Sequence, residues 1–235
     1  MIGHRGASAL APENSREAFA RAAADGADGV ELDVLRCATG EVIVFHDDDL
    51  SRLGGRPERI AALSLAALRE VRLTSGASIP TLEEALAACG EHLLVNVELK
   101  AAGVPWAEIR ALVAAVASIV RAPGVRERVL VSSFHPYAVA AWQRCLPEVP
   151  AGLLFEAEAS IQLRRAWALP WLRPFSVNPQ DVLCDTEAVQ RWHRRGYRVS
   201  VWTVDAPAEL RRLAAAGVDA IITNDPARSR AILGG

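Results

Sequence analysis

GVELDVLRCATGEVIVFH, residues 29–46, holds two β-prone runs, Gly29 to Leu35 and Val42 to His46, with only Arg36 to Glu41 between them. A parallel crossover needs a dozen or more residues, so the two runs are expected to form an antiparallel hairpin that turns near Thr39-Gly40. That local constraint organises the remaining strand candidates: Ile2 to Arg5, Leu93 to Lys100, Val129 to Phe134, Gly152 to Phe155, Phe175 to Asn178, Arg198 to Val204 and Ala220 to Thr223. Ala- and Leu-rich helical stretches alternate with these strands, and setting Val42 to His46 aside leaves eight parallel strands. Eight β-α units predict an α/β fold, a TIM (β/α)8 barrel.

Local punctuation agrees with that rhythm. Asn14 with Glu17 and Thr81 with Glu84 have the spacing of capping boxes, and Gly90, Gly196 and Gly217 fall where helices should stop. A length of 235 residues suits one α/β barrel, and no linker or low-complexity break divides the chain, so residues 1–235 are expected to form a single domain. The formal net charge of −2 offers no global attraction to nucleic acid or an anionic membrane, so any phosphate recognition must come from a few local cations and the expected partner is a small molecule. Cys37, Cys89, Cys145 and Cys184 are scattered without a CxxC, and a strand motif opens the chain, which together predict a cytoplasmic protein. The most apolar helical run, Leu112 to Val120, is flanked by Arg110 and Arg121 and falls short of the ~18 to 20 residues a membrane span requires.

In a barrel of this kind functional groups gather at the C-terminal ends of the strands. His4, Glu31, Asp33, Glu98 and Lys100 satisfy that positional requirement. His4 beside Arg5 supplies a proton-transfer group and a fixed cation. Glu31 and Asp33, two residues apart on a strand, project from one face and can share a divalent ion. If Thr39 and Gly40 form a two-residue loop, Ala38 pairs with Glu41 and His46 lies opposite Asp33 on the same face; a three-residue loop would turn His46 to the other face.

Taken in order, His4-Arg5-Gly6, Pro12-Glu13-Asn14, Glu31-Leu32-Asp33, His46-Asp47, Glu98-Leu99-Lys100, Ser133-Phe134, Trp202-Thr203-Val204 and Thr223-Asn224-Asp225-Pro226 resemble the pattern of the glycerophosphodiester phosphodiesterases over essentially the whole chain. The resemblance implies a TIM barrel with a short insertion after the His-Asp motif, here residues 47–80 following the second-strand hairpin, in which Ser64 can begin a small helix. It departs from the family pattern at Arg52-Leu53-Gly54-Gly55, where a Thr-rich turn is usual, and at Asn224, where Asp is common.

Each candidate also has an ordinary reading. Two acids on a strand of a closed barrel are costly unless paired or metal-bound, which favours Glu31 and Asp33 as ligands. Glu98 and Lys100 could be a surface pair of little energetic worth, but their shared face at the barrel top suits a third ligand and a phosphate cation. His4 or His46 alone could be a satisfied core histidine; together with the acids they read as catalytic. Asn14 and Glu13 serve equally as the start of the first helix or as groups beside an anion. His92 and His193 read as surface residues, and Trp142 and Trp192 as helix faces packed on the barrel.

The chemistry the resemblance implies is metal-assisted cleavage of a glycerophosphodiester to sn-glycerol 3-phosphate and an alcohol. Glu31, Asp33 and Glu98 would hold one hard cation, Mg²⁺ or Ca²⁺, and Arg5 and Lys100 would offset phosphoryl charge. His4 and His46 would exchange general base and acid roles around a cyclic phosphate, with the order of the two left open. Phe134 and Trp202 would line the glycerol or headgroup site. Two other classes fit the same barrel: a lysophospholipase D or sphingomyelinase D-like phosphodiesterase, which would need an apolar groove such as Trp167 to Phe175 could provide, and a non-catalytic phosphodiester-binding protein.

Overall fold

The computed structural model describes residues 1–158 and 168–234. Trp167, at the start of the apolar stretch singled out in the sequence, lies outside the described residues. Among the described residues nine strands run in chain order: β1 (Ile2–His4), β2 (Gly29–Arg36), β3 (Val42–Val44), β4 (Leu94–Leu99), β5 (Val129–Ser133), β6 (Ala151–Phe155), β7 (Ser176–Pro179), β8 (Arg198–Val201) and β9 (Ala220–Thr223). They pair in the order β1-β9-β8-β7-β6-β5-β4-β2-β3, and β1 also pairs with β2, which closes eight parallel strands into a TIM barrel. β3 alone is antiparallel and hangs on the barrel through β2.

The hairpin register differs from the two-residue-loop expectation. Val34 pairs with Val44 and Arg36 with Val42, so Cys37 faces Glu41 across a three-residue loop closed by the Gly40 N–H donating to the Cys37 carbonyl. Gly40 takes φ +100°, and the one-residue shift puts Phe45, not His46, beside Asp33, whose carbonyl accepts from the Phe45 N–H. His46 nevertheless reaches the barrel mouth. β3 ends at Val44, so the orientation of His46 is set by the bend that follows and not by the strand pleat.

The strands separate apolar from polar residues by alternation. Val30, Leu32 and Val34 of β2, Val95, Val97 and Leu99 of β4, and Val129 and Val131 of β5 belong to one large core with Phe19, Leu82, Ile109, Val116 and Trp142 of the surrounding helices. The alternate positions Glu31, Asp33, Asn96, Glu98, Ser132, Ser176 and Asn178 are polar and buried, which places polar groups along the barrel interior. Gly152 keeps that interior passable for its neighbours: a Cβ there would sit 2.5 Å from Ser176 Oγ and 2.8 Å from Asn178 Oδ1.

Residues 47–80 carry the short helices Ser51–Gly54 and Leu65–Arg69, and Ser64 caps the second by accepting from the Ala67 N–H. Leu50, Ile60, Leu68 and Ile79 pack with Leu35, Ile43 and Phe45 of the hairpin in a second, separate apolar cluster. Thr81 and Glu84 form the expected capping box. Asn14 does not cap: Ser15 accepts from the Ala18 N–H instead, because the Asn14 side chain is turned inward. Among the described residues no helix is long and apolar enough to cross a membrane.

Candidate active site

Arg5 follows the last residue of β1 in a tight turn, with φ +55° at Arg5 and +84° at Gly6. Gly6 is required there, since a Cβ would lie 2.6 Å from the Ala18 backbone. The turn aims the Arg5 N–H at Glu31 Oε2 (3.1 Å), its Nη1 at Glu13 Oε1 (2.7 Å) and its Nε at Asp33 Oδ2 (3.3 Å). Burial works against this guanidinium's charge, but Asp33, Glu13 and Glu31 outweigh it and hold the group more firmly protonated.

Parallel pairing of β2 with β4 sets Asp33 beside Glu98 and Glu31 beside Asn96. Glu31, Asp33 and Glu98 thereby each offer an oxygen within 4.8 Å of the other two. All three are buried, and two cations face them: Lys100 Nζ is 2.9 Å from Glu98 Oε1 and 3.4 Å from Asp33 Oδ1, and Arg5 lies on the other side. Burial, then Asp33 and Glu98, push Glu31 well above the usual carboxylate range, and burial with Asp33 pushes Glu98 up to about 7. Burial lowers Lys100, yet Glu98 and Asp33 leave its ammonium more basic than usual. Glu31 Oε1 is buried with no hydrogen-bond partner. Three carboxylates against two cations, all-oxygen donors and one orphaned oxygen fit a hard divalent ion.

Both histidines engage a partner through Nδ1. His4 Nδ1 lies 2.8 Å from Asn224 Oδ1, and the Asn224 amide is fixed because its Nδ2 and backbone N–H donate to the two oxygens of Asp205 (2.5 and 2.8 Å). An amide oxygen only accepts, so His4 carries its hydrogen on Nδ1 and leaves the Nε2 lone pair free. Burial, then the charge of Arg5, lower the pKa of His4 and favour its neutral form. His46 Nδ1 sits 2.7 Å from Asp47 Oδ1, a charged partner where His4 has a neutral one.

These groups open on one cavity of about 760 Å³ at the C-terminal end of the barrel. His4, Arg5, Glu31, His46, Glu98, Lys100, Phe134 and Trp202 line it, while Asp33 lies just behind, only 2% exposed. Phe134 and Trp202 meet edge to face with centroids 5.3 Å apart, and the Trp202 Nε1–H donates to the Asn178 carbonyl. Leu154, Phe155 and Ile222 extend an apolar wall beyond them.

His135 also lines the cavity, whereas His92 and His193 are exposed. Asn14, balanced in the sequence between helix start and site, belongs to the site: its Nδ2 donates to Asp33 Oδ2 (2.9 Å) and its backbone adopts φ +54°, which Asn tolerates. Asp205 carries no signal in the sequence. It lies 19 residues before Asn224, and only the closure of β8 against β9 brings the two together. Phe175, in the apolar stretch that could have formed a groove, instead lines a separate cavity of about 410 Å³ with Ile2, Leu94 and Ala220 at the opposite, N-terminal end of the strands.

Residues 4–228 match the family described as glycerophosphoryl diester phosphodiesterase. A glycerophosphodiester phosphodiesterase of Caldanaerobacter subterraneus subsp. tengcongensis is 31% identical over 235 residues, covering 96% of this chain and 94% of the relative. Among solved structures, an Oleispira antarctica phosphodiesterase in complex with the product sn-glycerol-3-phosphate superposes with a TM-score of 0.88 at 26% identity, covering 100% of this chain and 96% of that one. A glycerophosphodiester phosphodiesterase from Thermotoga maritima gives 0.78 at 29% identity, with 97% and 95% covered.

Proposed function

The chain belongs to the glycerophosphoryl diester phosphodiesterase family and is an enzyme of that class, and from that premise we propose that it cleaves glycerophosphodiesters to sn-glycerol 3-phosphate and an alcohol by metal-assisted, two-histidine acid-base catalysis. The observation that carries this reading is the pair of imidazoles, each tied down through Nδ1, on a cavity floored by the Glu31, Asp33 and Glu98 cluster. The family match over residues 4–228 likewise supports reading residues 1–235 as one catalytic domain with its insertion at 47–80.

Glu31, Asp33 and Glu98 would hold one hard divalent ion, Mg²⁺ or Ca²⁺, which when bound would supply Lewis-acid polarisation at the phosphoryl group and acidify the glycerol 2-hydroxyl. Arg5 cradles phosphoryl oxygens by its fork and Lys100 adds a point charge, so the charge that develops at phosphorus meets fixed cations. His4, with its neutral partner and free Nε2, takes the proton of the 2-hydroxyl as that oxygen bonds to phosphorus. His46, its Nδ1 hydrogen facing Asp47, gives a proton to the departing alcohol oxygen as the bond to phosphorus breaks. A five-membered cyclic phosphate results. Water then opens it with the roles reversed: His46 takes the water proton and His4 returns its own to the 2-oxygen. Phe134 and Trp202 flank the glycerol or the headgroup and exclude water from that side.

The apolar wall of Leu154, Phe155 and Ile222 supports a second reading, a lysophospholipase D or sphingomyelinase D-like reaction on a bulkier alcohol that stops at the cyclic product. Product analysis by ³¹P NMR separates the two. The proposed function expects a cyclic phosphate only in passing and sn-glycerol 3-phosphate as the end point. A cyclic phosphate that accumulates and persists would favour the second reading.

A further inference from the structure

Arg52 stands on the helix Ser51–Gly54 of the insertion, next but one to Leu50, which is fully buried in the second apolar cluster. All three guanidinium nitrogens are engaged. Nε donates to Asp47 Oδ2 (2.7 Å), Nη1 to Glu13 Oε2 and Nη2 to Glu13 Oε1 (both 2.8 Å). Each carboxylate spends another contact on a group of the site: Asp47 Oδ1 holds His46 Nδ1 (2.7 Å), and Glu13 Oε1 holds Arg5 Nη1 (2.7 Å). Charges therefore alternate from Asp33 through Arg5, Glu13 and Arg52 to Asp47, which holds the His46 ring, and the Arg52 link comes from outside the barrel.

Both carboxylates keep their charge. Hydrogen bonds from Arg52 and the charge of Arg5 overcome burial and hold Glu13 at about 2, and against burial the Arg52 and His46 hydrogen bonds lower Asp47. Without Arg52, Glu13 and Asp47 would each lose the contact that fixes their plane, and Glu13 would be left to Arg5 alone. A lysine could not replace it, because an ammonium on a flexible stem does not grip two carboxylates in fixed planes. The Arg52 side chain remains 46% exposed, so the pairs add little to global stability, and the arrangement matters for geometry more than for folding.

We propose that Arg52 is a positioning residue for diester cleavage, its fork fixing Asp47 and Glu13 and, through them, the His46 ring and the Arg5 guanidinium. This rests on the proposed function of the same site. It assigns the insertion a task in the reaction: the hairpin and its apolar cluster hold the residue that sets the distance between the acid-base group and the phosphate cation.

The test compares wild type, Arg52→Ala and Arg52→Lys by steady-state kinetics on glycerophosphocholine with saturating Mg²⁺, by thermal unfolding, and by ¹⁵N-edited NMR of the His46 ring, identified by its loss in His46→Gln. Arg52→Ala is expected to lower kcat by about 10- to 100-fold, the usual cost of removing an outer support, with a smaller change in KM and an almost unchanged unfolding midpoint. Arg52→Lys is expected to recover only part of kcat, and the His46 Nδ1 proton signal should shift or broaden in both variants. An unchanged kcat in Arg52→Ala, or a loss that follows the folded fraction alone, would overturn the proposal. If wild type cleaves no glycerophosphodiester, the functional reading fails by itself, and an unaltered His46 ring in Arg52→Ala then overturns the positioning role independently.

Discussion

His4 lies beside a neutral amide and His46 beside a carboxylate, and the proposed reaction assigns them separate tasks on that difference. Replacing either ring by alanine should lower turnover by roughly 10²- to 10⁴-fold, the range for lost general acid-base catalysis, while circular dichroism stays native. Turnover unchanged in His4→Ala would remove that residue from the chemistry. Asn224→Leu should reduce kcat more than it raises KM, since the substitution keeps the bulk beside His4 but removes the oxygen that fixes its tautomer. The candidate residues that meet on the cavity were legible in the sequence because their types are chemically unusual on a barrel strand. Their supports were not: Asp205 reaches Asn224 only through the β8–β9 pairing, and Asn14 looks like any helix cap until its side chain is seen turned toward Asp33.

At the scale of elements, the hairpin was readable as a hairpin from a six-residue gap, but its register was not. Whether Thr39 and Gly40 make a two- or three-residue loop depends on Gly40 accepting a positive φ and on the hydrogen bonds of Cys37, and the pattern Val-Ile-Val-Phe is apolar enough to bury either face. The buried faces of Ile43 and Phe45 are claimed by the insertion's own cluster, which decides the matter. Leu50→Ala, which empties a fully buried position of that cluster, should destabilise the protein by about 2–5 kcal/mol in urea unfolding, and should cost activity as well, because Arg52 is carried two residues on. Destabilisation with full residual turnover would show that the insertion is a passenger.

For the molecule as a whole, a barrel lined with acids stores unfavourable charge that a cation can relieve. Glu98, raised from an ordinary 4.5 to about 7, and Glu31, raised well above its ordinary value, retain protons in the fold that the unfolded chain has already released. The folded state therefore binds more protons, and metal-free stability should be fullest below pH 4.5 as far as these groups are concerned and decline as pH rises through about 7. Mg²⁺ or Ca²⁺ should raise the unfolding midpoint most above pH 7 and least near pH 5; at a hundredfold excess over its dissociation constant the ion would add about 2.7 kcal/mol. A midpoint indifferent to both ions at pH 8 would argue against the carboxylate cluster as a cation site. The barrel itself was legible at this scale from strand count and helix rhythm, because closure of eight parallel strands leaves few alternatives. The polar interior behind the site was not, since Ser132, Ser176 and Asn178 are common residues whose burial only the closed barrel reveals.

The most direct measurement is enzyme-coupled release of sn-glycerol 3-phosphate from glycerophosphocholine, with Mg²⁺ or Ca²⁺ added, with chelator, and with Glu31→Gln alongside the wild type. Metal-dependent hydrolysis by Glu31, Asp33, Glu98 and the two histidines predicts steady release in the presence of one of the ions, abolition by chelator, and a loss in Glu31→Gln that more metal partly restores. Release that persists undiminished in chelator and in Glu31→Gln, or no release with either ion, would contradict it.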